Sequence, residues 1–387
     1  MERLKQKIWL ARPEMMRNES LYVQKSLESG WITSAYNENS YIAKFERSVE
    51  TFLGSGKAVA LNSGTSAIHL ALIMAGVQKG DRVFCSDLTF AASANPIKYL
   101  GAEPVFIDSE MDTMNMDPYA LEKAFSLGLL PKAVIVVHVY GVPANMHKIM
   151  EICNRYGVPV IEDATESLGA TVDYESVGTI GDYGCLSFNG NKMITAGGTG
   201  GMLICRDEEE AKRAAFIASQ AKEPVPWYEH KEIGYNYRMA NINAAFGCGQ
   251  MEYIEKKITR KKNIWNRYSE AFKKAGCGIT MTPGIRFEKR LGVAWLSCAH
   301  IDPETKKRPG DLIEELGKLN IEARRIWKPL HRQPIFQNCR RFSDTCNGPF
   351  YVSDYHFLTG ICLPSDTRMT DEEQDYVIEA VCRFMEV

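Results

Sequence analysis

The sequence has no long apolar run, no excess of charge of either sign and no clustered cysteines. Nowhere in its 387 residues does an apolar stretch approach the ~20 residues that a membrane helix needs. Lys and Arg total 46 and Asp and Glu total 48, so the formal net charge is only -2. That balance gives no electrostatic reason to expect nucleic acid or an anionic membrane as a partner. We therefore expect neither partner.

The eleven cysteines are spread along the chain, and the nearest pair in sequence is Cys339 and Cys346. A disulfide framework is typical of short secreted chains, and a zinc site needs clustered ligands. The N-terminus is charged, contains Pro13 and lacks an apolar stretch of signal-peptide length. We therefore expect reduced, mostly buried thiols, no metal site and a cytoplasmic protein.

From Lys57 onward, short apolar runs alternate with longer amphipathic ones. The short runs predict strands at 57–61, 82–86, 103–108, 133–140 and 158–163. The runs between them predict helices at 65–77, 89–101, 117–128 and 146–157. This alternation predicts an α/β fold with a mostly parallel central sheet flanked by helices. In such sheets, ligands bind beyond the carboxyl ends of the strands.

The pattern changes after residue 183. Two apolar runs, 184–188 and 200–205, predict strands joined by a glycine-rich loop. A long helix is predicted from 242 to 275, and we interpret its basic run at 256–262 as a solvated face. The C-terminal third predicts a smaller α+β unit packed against the first. We place the boundary near residue 245, which divides the chain into a large domain, 1–245, and a small C-terminal domain, 246–387.

The segment LNSGTSAIHLAL at 61–72 is the first candidate for chemistry. Gly64 lets the chain turn sharply after a strand, and Thr65 and Ser66 then open a helix. Backbone N–H groups and hydroxyls at a helix N-terminus form an anion site, above all for phosphate. Ordinary helix capping explains the same residues, and the motif taken alone favours capping.

The segment VIEDATESLGA at 160–170 is the second candidate. Glu162 and Asp163 end a predicted strand, and Glu166 follows. One carboxylate is expected to point into the ligand crevice, where it needs a cationic partner or a proton to share. The alternative is an acidic helix N-terminus. The apolar strand before Asp163 favours a buried role for it.

The third candidate is Lys192, the only charged residue in the segment 184–203. A lysine between two short strands, surrounded by small residues, can act as an amine nucleophile. The alternative is a surface lysine on a flexible hairpin. Together, a phosphate cradle, a strand-end carboxylate and an isolated lysine are what pyridoxal phosphate requires: the lysine forms the imine and the carboxylate holds the pyridinium nitrogen protonated.

Four motifs follow one another along the chain: NSGTSA, IEDATES, SFNGNK with a glycine-rich stretch, and GYNYRM at 234–239. This order resembles the DegT-type nucleotide-sugar aminotransferases, which are fold type I pyridoxal-phosphate enzymes. The resemblance runs from about Trp31 to the GICLPS segment at 360–365. It implies a large cofactor-binding domain and a smaller C-terminal α+β domain.

The resemblance also implies roles for single residues. Lys192 would be the Schiff-base lysine and the acid/base that moves the proton between cofactor and substrate carbons. Asp163 would pair with the pyridine nitrogen. Phe90 would lie over the face of the ring, where an aromatic side chain stacks on the cofactor and keeps water away.

The phosphate would be held by Thr65, Ser66 and Ser187 beside the turn at Gly64. Asn236, in GYNYRM, would reach the phosphate of the neighbouring subunit's cofactor. The resemblance therefore implies a homodimer with shared active sites.

Glu166 departs from the commonest family pattern, which has Gln or His there to hydrogen-bond the phenolic oxygen of the cofactor. A carboxylate near that oxyanion would have to be protonated or rotated away. The stretches 220–239 and 324–336 resemble transaminases acting on UDP-linked 4-keto-6-deoxy-N-acetylhexosamines. Asn189 and His331 are the residues expected to touch the sugar or its diphosphate, and a surface or interface role is an equal alternative for His331.

The implied reaction has two halves. Glutamate would convert pyridoxal phosphate to pyridoxamine phosphate, and the amine would then pass to a nucleotide-linked 4-keto-6-deoxy sugar for a bacterial surface glycan or exopolysaccharide. Three alternatives stay open: a 3-keto sugar aminotransferase, a non-catalytic cofactor-binding regulator of the same fold, and a general α/β binding module. A dehydratase is disfavoured, because dehydratase relatives replace the lysine with His and Lys192 is present here.

Overall fold

The computed structural model describes residue 1, residues 3–344 and residues 351–386. Its helices in that part of the chain are α1 (Asn18–Glu28), α2 (Tyr41–Leu53), α3 (Gly64–Met74), α4 (Asn95–Tyr99), α5 (Pro118–Ser126), α6 (Met146–Tyr156), α7 (Glu208–Ala218), α8 (Asn241–Met251), α9 (Ile254–Ala275), α10 (Pro309–Lys318), α11 (Val352–Thr359) and α12 (Asp371–Glu386). Its strands are β1 (Lys57–Leu61), β2 (Arg82–Ser86), β3 (Glu103–Ile107), β4 (Ala133–Val137), β5 (Val160–Asp163), β6 (Thr171–Val172), β7 (Glu175–Ser176), β8 (Tyr183–Ser187), β9 (Gly201–Cys205), β10 (Ile279–Met281), β11 (Arg286–Phe287), β12 (Arg290–Leu291), β13 (Ser297–Ile301), β14 (Arg324–Arg325), β15 (Arg341–Phe342) and β16 (Gly360–Leu363).

The central sheet has eight strands in the order β1-β9-β8-β5-β4-β2-β3-β15. Its strands are parallel from β15 through to β8, and only β9 runs antiparallel to its two neighbours. In β4, Val134 and Val136 join one apolar cluster while Ala133 and Ile135 join another. Alternate side chains of a strand point to opposite faces, so both faces of the sheet are covered. The predicted mostly parallel α/β fold is confirmed.

The predicted long helix is two helices, α8 and α9, separated at Glu252 and Tyr253. The break lets α8 pack on α1 and α2, while α9 packs against β10 and α12. A periodic pattern that continues across such a break does not reveal it. The predicted helix at 89–101 is also shorter, because only a 3-10 turn at 91–93 and α4 form there.

A second sheet, β10-β13-β16-β14, packs with α9, α10 and α12 around its own apolar cluster. Ile8, from the N-terminus, joins that cluster and forms a parallel bridge with Ile321. The first residues of the chain therefore pack with its C-terminal part. The domain boundary predicted near residue 245 lies inside α8 and stays a prediction.

The basic run in α9 is not wholly solvated, so that interpretation is wrong for two of its lysines. Lys257 and Lys261 are buried, because residues four apart lie on the same face of a helix and this face points inward. The Nζ of Lys261 donates to the backbone oxygens of Trp295, at 2.8 Å, and Ser365, at 2.6 Å. Burial lowers the pKa of Lys261 to about 7.

Among the described residues, no helix is long and apolar enough to cross a membrane. The same part of the chain holds no group of three or more His, Cys, Asp and Glu placed to bind a metal ion. Its ten cysteines are free thiols, and the eleventh, Cys346, lies outside the described residues.

Candidate active site

A cavity of about 370 Å³ opens at the carboxyl ends of the central strands. The wall on the side of the central sheet is formed by residues from the segments 63–68, 89–93, 163–166, 187–192 and 199–200. The C-terminal side of the cavity consists of Trp295, Arg324 and Trp327. Larger grooves of about 890 and 820 Å³ lie elsewhere, but neither contains the lysine or the strand-end carboxylates predicted from the sequence.

Lys192 lies between β8 and β9 and lines this cavity, with 13% of its side chain exposed. Its Nζ lies 3.4 Å from Oε1 of Glu166 and 4.0 Å from the centre of the Trp295 ring. Trp295 Nε1 donates to the backbone oxygen of Asn191 at 2.8 Å, which ties the indole to the loop that carries the lysine. The alternative of a surface lysine on a flexible hairpin is wrong, because these contacts enclose the side chain.

The two carboxylates at the end of β5 have different partners. Glu162 accepts backbone hydrogen bonds from the loop 178–181 at 2.6–2.9 Å, so it holds that loop in place. Asp163 lines the cavity, where its Oδ2 accepts from the Ser93 hydroxyl at 2.6 Å and its Oδ1 from the Thr165 N–H at 3.2 Å. Residues 164–170 form turns, so the alternative of a helix N-terminus is wrong.

Glu166 is buried, and both of its carboxylate oxygens have protein partners. Oε2 accepts the backbone N–H of Tyr140 at 2.8 Å, and Oε1 lies opposite Lys192. Burial raises the pKa of Glu166, and the positive charge of Lys192 opposes that shift. Its predicted contact with the cofactor stays a prediction.

The first turn of α3 opens onto the cavity at Gly64 and Thr65, with Ser187 beside them. A Cβ atom at Gly64 would lie 2.9 Å from the Cβ of Ser187 and 3.1 Å from the Cγ2 of Thr165, so this cradle has room only for a glycine. Ser66 does not line the cavity. Its N–H donates to the hydroxyl of Ser63 at 3.1 Å, so Ser63 caps the helix. The predicted anion site at this turn stays a prediction.

Aromatic side chains enclose the cavity. Phe90 lines the sheet side, is 56% exposed, and has its ring centre 5.4 Å from that of Trp327. The buried Tyr140 stacks on Trp327 at 5.7 Å and on Trp295 at 6.2 Å. Phe90 therefore lines the cavity, and its predicted position over the cofactor ring stays a prediction.

Asn189, one of the two residues predicted to touch the substrate, lines the cavity. Asn236 is exposed outside the cavity, and its predicted contact with the neighbouring subunit's cofactor stays a prediction. His331 is buried, with Nδ1 2.6 Å from Asp87 and Nε2 3.4 Å from Asp354. The alternative of a surface histidine is wrong, because only 3% of this side chain is exposed. These contacts occupy both ring nitrogens and do not favour a sugar contact either.

Among the lining residues that sequence reasoning did not name, Ser93 follows β2, so its place at the carboxyl end of a central strand was a signal that could have identified it. Trp295 gave no such signal. Arg324 and Trp327 lie in the stretch 324–336, which resembles sugar transaminases, but nothing in the sequence placed them at the cavity. All three come from the C-terminal part, and only the packing of the two parts brings them there.

The residues present fit pyridoxal phosphate. The cavity combines an amine at Lys192, a buried carboxylate at Asp163 and a helix N-terminus whose Gly64 cradle has no room for a side chain. An amine, an anionic partner for a ring nitrogen and an anion site are the donor set that this cofactor needs.

Known proteins match most of the length of this chain. The model of the DegT/DnrJ/EryC1/StrS aminotransferase family matches residues 13–382. EpsN of Bacillus subtilis, named as a pyridoxal phosphate-dependent aminotransferase, is 44% identical over 97% of this chain and 95% of its own. GDP-perosamine synthase of Caulobacter vibrioides is 32% identical over 97% of each chain. The solved structure of Spr1654 from Streptococcus pneumoniae, named as a sugar aminotransferase in its PMP form, has a TM-score of 0.87 at 26% identity and covers 98% of each chain.

Proposed function

This chain belongs to the DegT/DnrJ/EryC1/StrS aminotransferase family, and from that premise we propose which amino transfer it performs. It is a pyridoxal-phosphate-dependent sugar aminotransferase. We propose that glutamate donates the amino group and that the acceptor is the 4-keto group of a UDP-linked 4-keto-6-deoxy-N-acetylhexosamine. The product would serve a bacterial surface glycan or exopolysaccharide, made in the cytoplasm.

The observation that carries the proposal is the meeting of three groups in one cavity. Lys192, Asp163 and the first turn of α3 come from three separate segments of the chain, yet all three line it. When bound, pyridoxal phosphate supplies the aldehyde that accepts the amine and a ring that delocalises electrons. The protein itself must bind and orient the cofactor and move the proton.

Lys192 is proposed as the group that moves the proton. Its Nζ is the amine that lines the cavity beside the carboxylates, and a single amine can both accept and return a proton during transfer. The Trp295 ring, 4.0 Å from Nζ, limits where that amine can move. Together with Phe90 and Trp327 it also excludes water from the reacting atoms.

Asp163 is proposed to keep the ring nitrogen protonated. The hydrogen bonds from Ser93 and from the Thr165 N–H fix the orientation of its carboxylate. In that orientation the carboxylate can act as the partner of a protonated ring nitrogen.

The phosphate would lie at the first turn of α3, held by Gly64, Thr65 and Ser187. We keep Ser66 as a weaker candidate, since its hydroxyl already donates to Asn62 at 2.6 Å. Asn236 would complete this site from the second subunit of a homodimer. Its exposure in the single chain supports that role, because a residue serving a neighbour's cavity must lie on the surface.

Asn189 is proposed to contact the sugar, since it is the exposed amide on the cavity rim. Three relatives are named GDP-perosamine synthase, so GDP is the competing nucleotide.

The test is an amino-transfer assay with glutamate and a matched set of ketosugars. UDP- and GDP-linked 4-keto-6-deoxy sugars, with and without the acetamido group, are compared with a 3-keto isomer, and the products are identified by mass spectrometry and NMR. We expect the UDP-linked 4-keto N-acetyl sugar to give the highest kcat/KM. Preference for the GDP-linked or the 3-keto sugar would contradict the substrate proposal, and cofactor binding without transfer to any ketosugar would favour a non-catalytic regulator.

A further inference from the structure

Glu166 is a carboxylate in the cavity that the steps above do not use. Its Oε1 lies 3.4 Å from Nζ of Lys192, the reacting amine of the proposed function. Its Oε2 accepts the Tyr140 N–H at 2.8 Å. With 5% of its side chain exposed, it has little contact with solvent.

Tyr140 fixes Glu166 in this orientation. Its φ of 54° lies in the left-handed region, which a bulky residue adopts only when its surroundings impose it. The imposing contacts are the stacking on Trp295 and Trp327 and a hydrogen bond from the Trp327 N–H to the Tyr140 hydroxyl at 2.8 Å. Rotating Glu166 away would leave the buried Tyr140 N–H without its acceptor.

Two nearby charges act on this carboxyl group. Burial is the largest influence and raises the pKa of Glu166, the negative charge of Asp163 adds to the increase, and Lys192 opposes it. The Tyr140 hydroxyl and the Cys298 thiol also face it, but burial raises the pKa of each well above its usual value, so both stay neutral. The protonation of Glu166 is therefore tied chiefly to that of Lys192.

We propose that Glu166 is the proton partner of Lys192. One proton moves between Nζ and Oε1: the N–H bond breaks as the O–H bond forms, so the ammonium–carboxylate pair becomes an amine–carboxyl pair with the same net charge. The lysine can thus become a free amine without releasing its proton to solvent. This inference rests on the proposed role of Lys192.

The substitution Glu166→Gln separates this role from a structural one. The amide oxygen can still accept the Tyr140 N–H, but the amide nitrogen cannot take a proton from Lys192. Gln and His are the residue types of the commonest family pattern at this position, so both E166Q and E166H are expected to fold.

The experiment uses the full-length protein loaded with pyridoxamine phosphate, in which Lys192 is a free amine. Its rate of labelling by acetic anhydride is followed across pH by peptide mass spectrometry. We expect the pH of half-maximal labelling to fall by about one unit or more in E166Q, because an opposite charge within ~4–6 Å favours the charged lysine by about that much. In E166H the pH of half-maximal labelling is also expected to fall, provided that the pH is high enough for the introduced imidazole to be neutral.

Glu46 provides the matched control. It is also buried, accepts the Ala60 N–H at 2.7 Å and lies 3.3 Å from an Arg238 nitrogen, but it is outside the cavity. E46Q is expected to leave the Lys192 curve unchanged. If the Lys192 labelling curve of E166Q coincided with that of the parent protein, the proposal would be overturned. If E166Q does not fold, the curve of E166H is compared in its place. A shift in E46Q equal to that in E166Q would also overturn the proposal. Labelling needs no sugar, so a failed substrate proposal would show separately as a lack of transfer.

Discussion

The two sides of the cavity are built in different ways. On the sheet side, the charged groups are already engaged: Asp163 by Ser93 and Glu166 by Tyr140. On the C-terminal side, Trp295 is buried, whereas Arg324 has 64% of its side chain exposed and pairs with Glu322 at 2.8 Å. The comparison suggests that the preorganised groups serve the cofactor, which is common to both half-reactions, while the exposed Arg324 side chain serves the substrate. The following experiments test whether the sheet side serves the cofactor and the C-terminal side serves the substrate.

The largest effect is expected from Asp163→Asn on the sheet side. The amide cannot supply the negative charge, so the rate of the glutamate half-reaction should fall by at least about 100-fold, as when one charge-stabilising group is removed from a reacting centre. S93A is the graded control: it removes one hydrogen bond to Asp163 but keeps the charge, and should cost ~10-fold. Single-turnover absorbance measures both. Near-normal turnover in D163N would contradict the claim that the charged groups of the sheet side serve the cofactor.

Gly64→Ala tests whether the cradle has spare room. The added Cβ would lie 2.9 Å from that of Ser187, so we expect weaker cofactor binding and a loss of about 1–3 kcal/mol in the free energy of unfolding. Gly310→Ala is the control, because a Cβ there meets no heavy atom within 4 Å. Thermal unfolding and cofactor titration compare the two variants. Equal stability and equal cofactor affinity would contradict the claim that the turn at Gly64 has no room for a side chain.

Arg324→Ala tests the C-terminal side. If this side serves the substrate, KM for the ketosugar should rise by ~10-fold, equivalent to about 1.4 kcal/mol, while the glutamate half-reaction stays within about twofold. R267A is the control, since Arg267 pairs with Asp375 outside the cavity. An equal loss in both half-reactions would assign Arg324 to the cofactor instead.

The last prediction concerns Lys261, which lies outside the cavity and supports the Trp295 backbone. Its pKa is about 7 in the folded state, against an ordinary 10.5, so between these values the unfolded chain binds more protons. Stability should therefore rise with pH in that window, by up to about 1.4 kcal/mol per pH unit from this residue. K261M should remove this contribution in denaturant titrations at pH 7–10. An unchanged slope would contradict the burial of a titrating amine.

Much of the sheet side could be predicted because its residues follow recognisable strands. Asp163 ends an apolar run, and that position alone directs it to the ligand crevice. The C-terminal side could not be predicted, since Trp295 reaches Lys192 only through packing between parts about 100 residues apart. The burial of Lys261 was missed for the same reason. Helical spacing identifies a face, but not whether distant chain covers it.

The central claim is that Lys192 is the amine that bonds the cofactor. Borohydride reduction of the holoenzyme, followed by peptide mass spectrometry, tests it most directly. We expect a pyridoxyl group on the peptide that contains Lys192 and loss of the cofactor's absorbance band near the edge of the visible range. We expect no adduct in K192A. An adduct on another lysine, or one that persists in K192A, would contradict it.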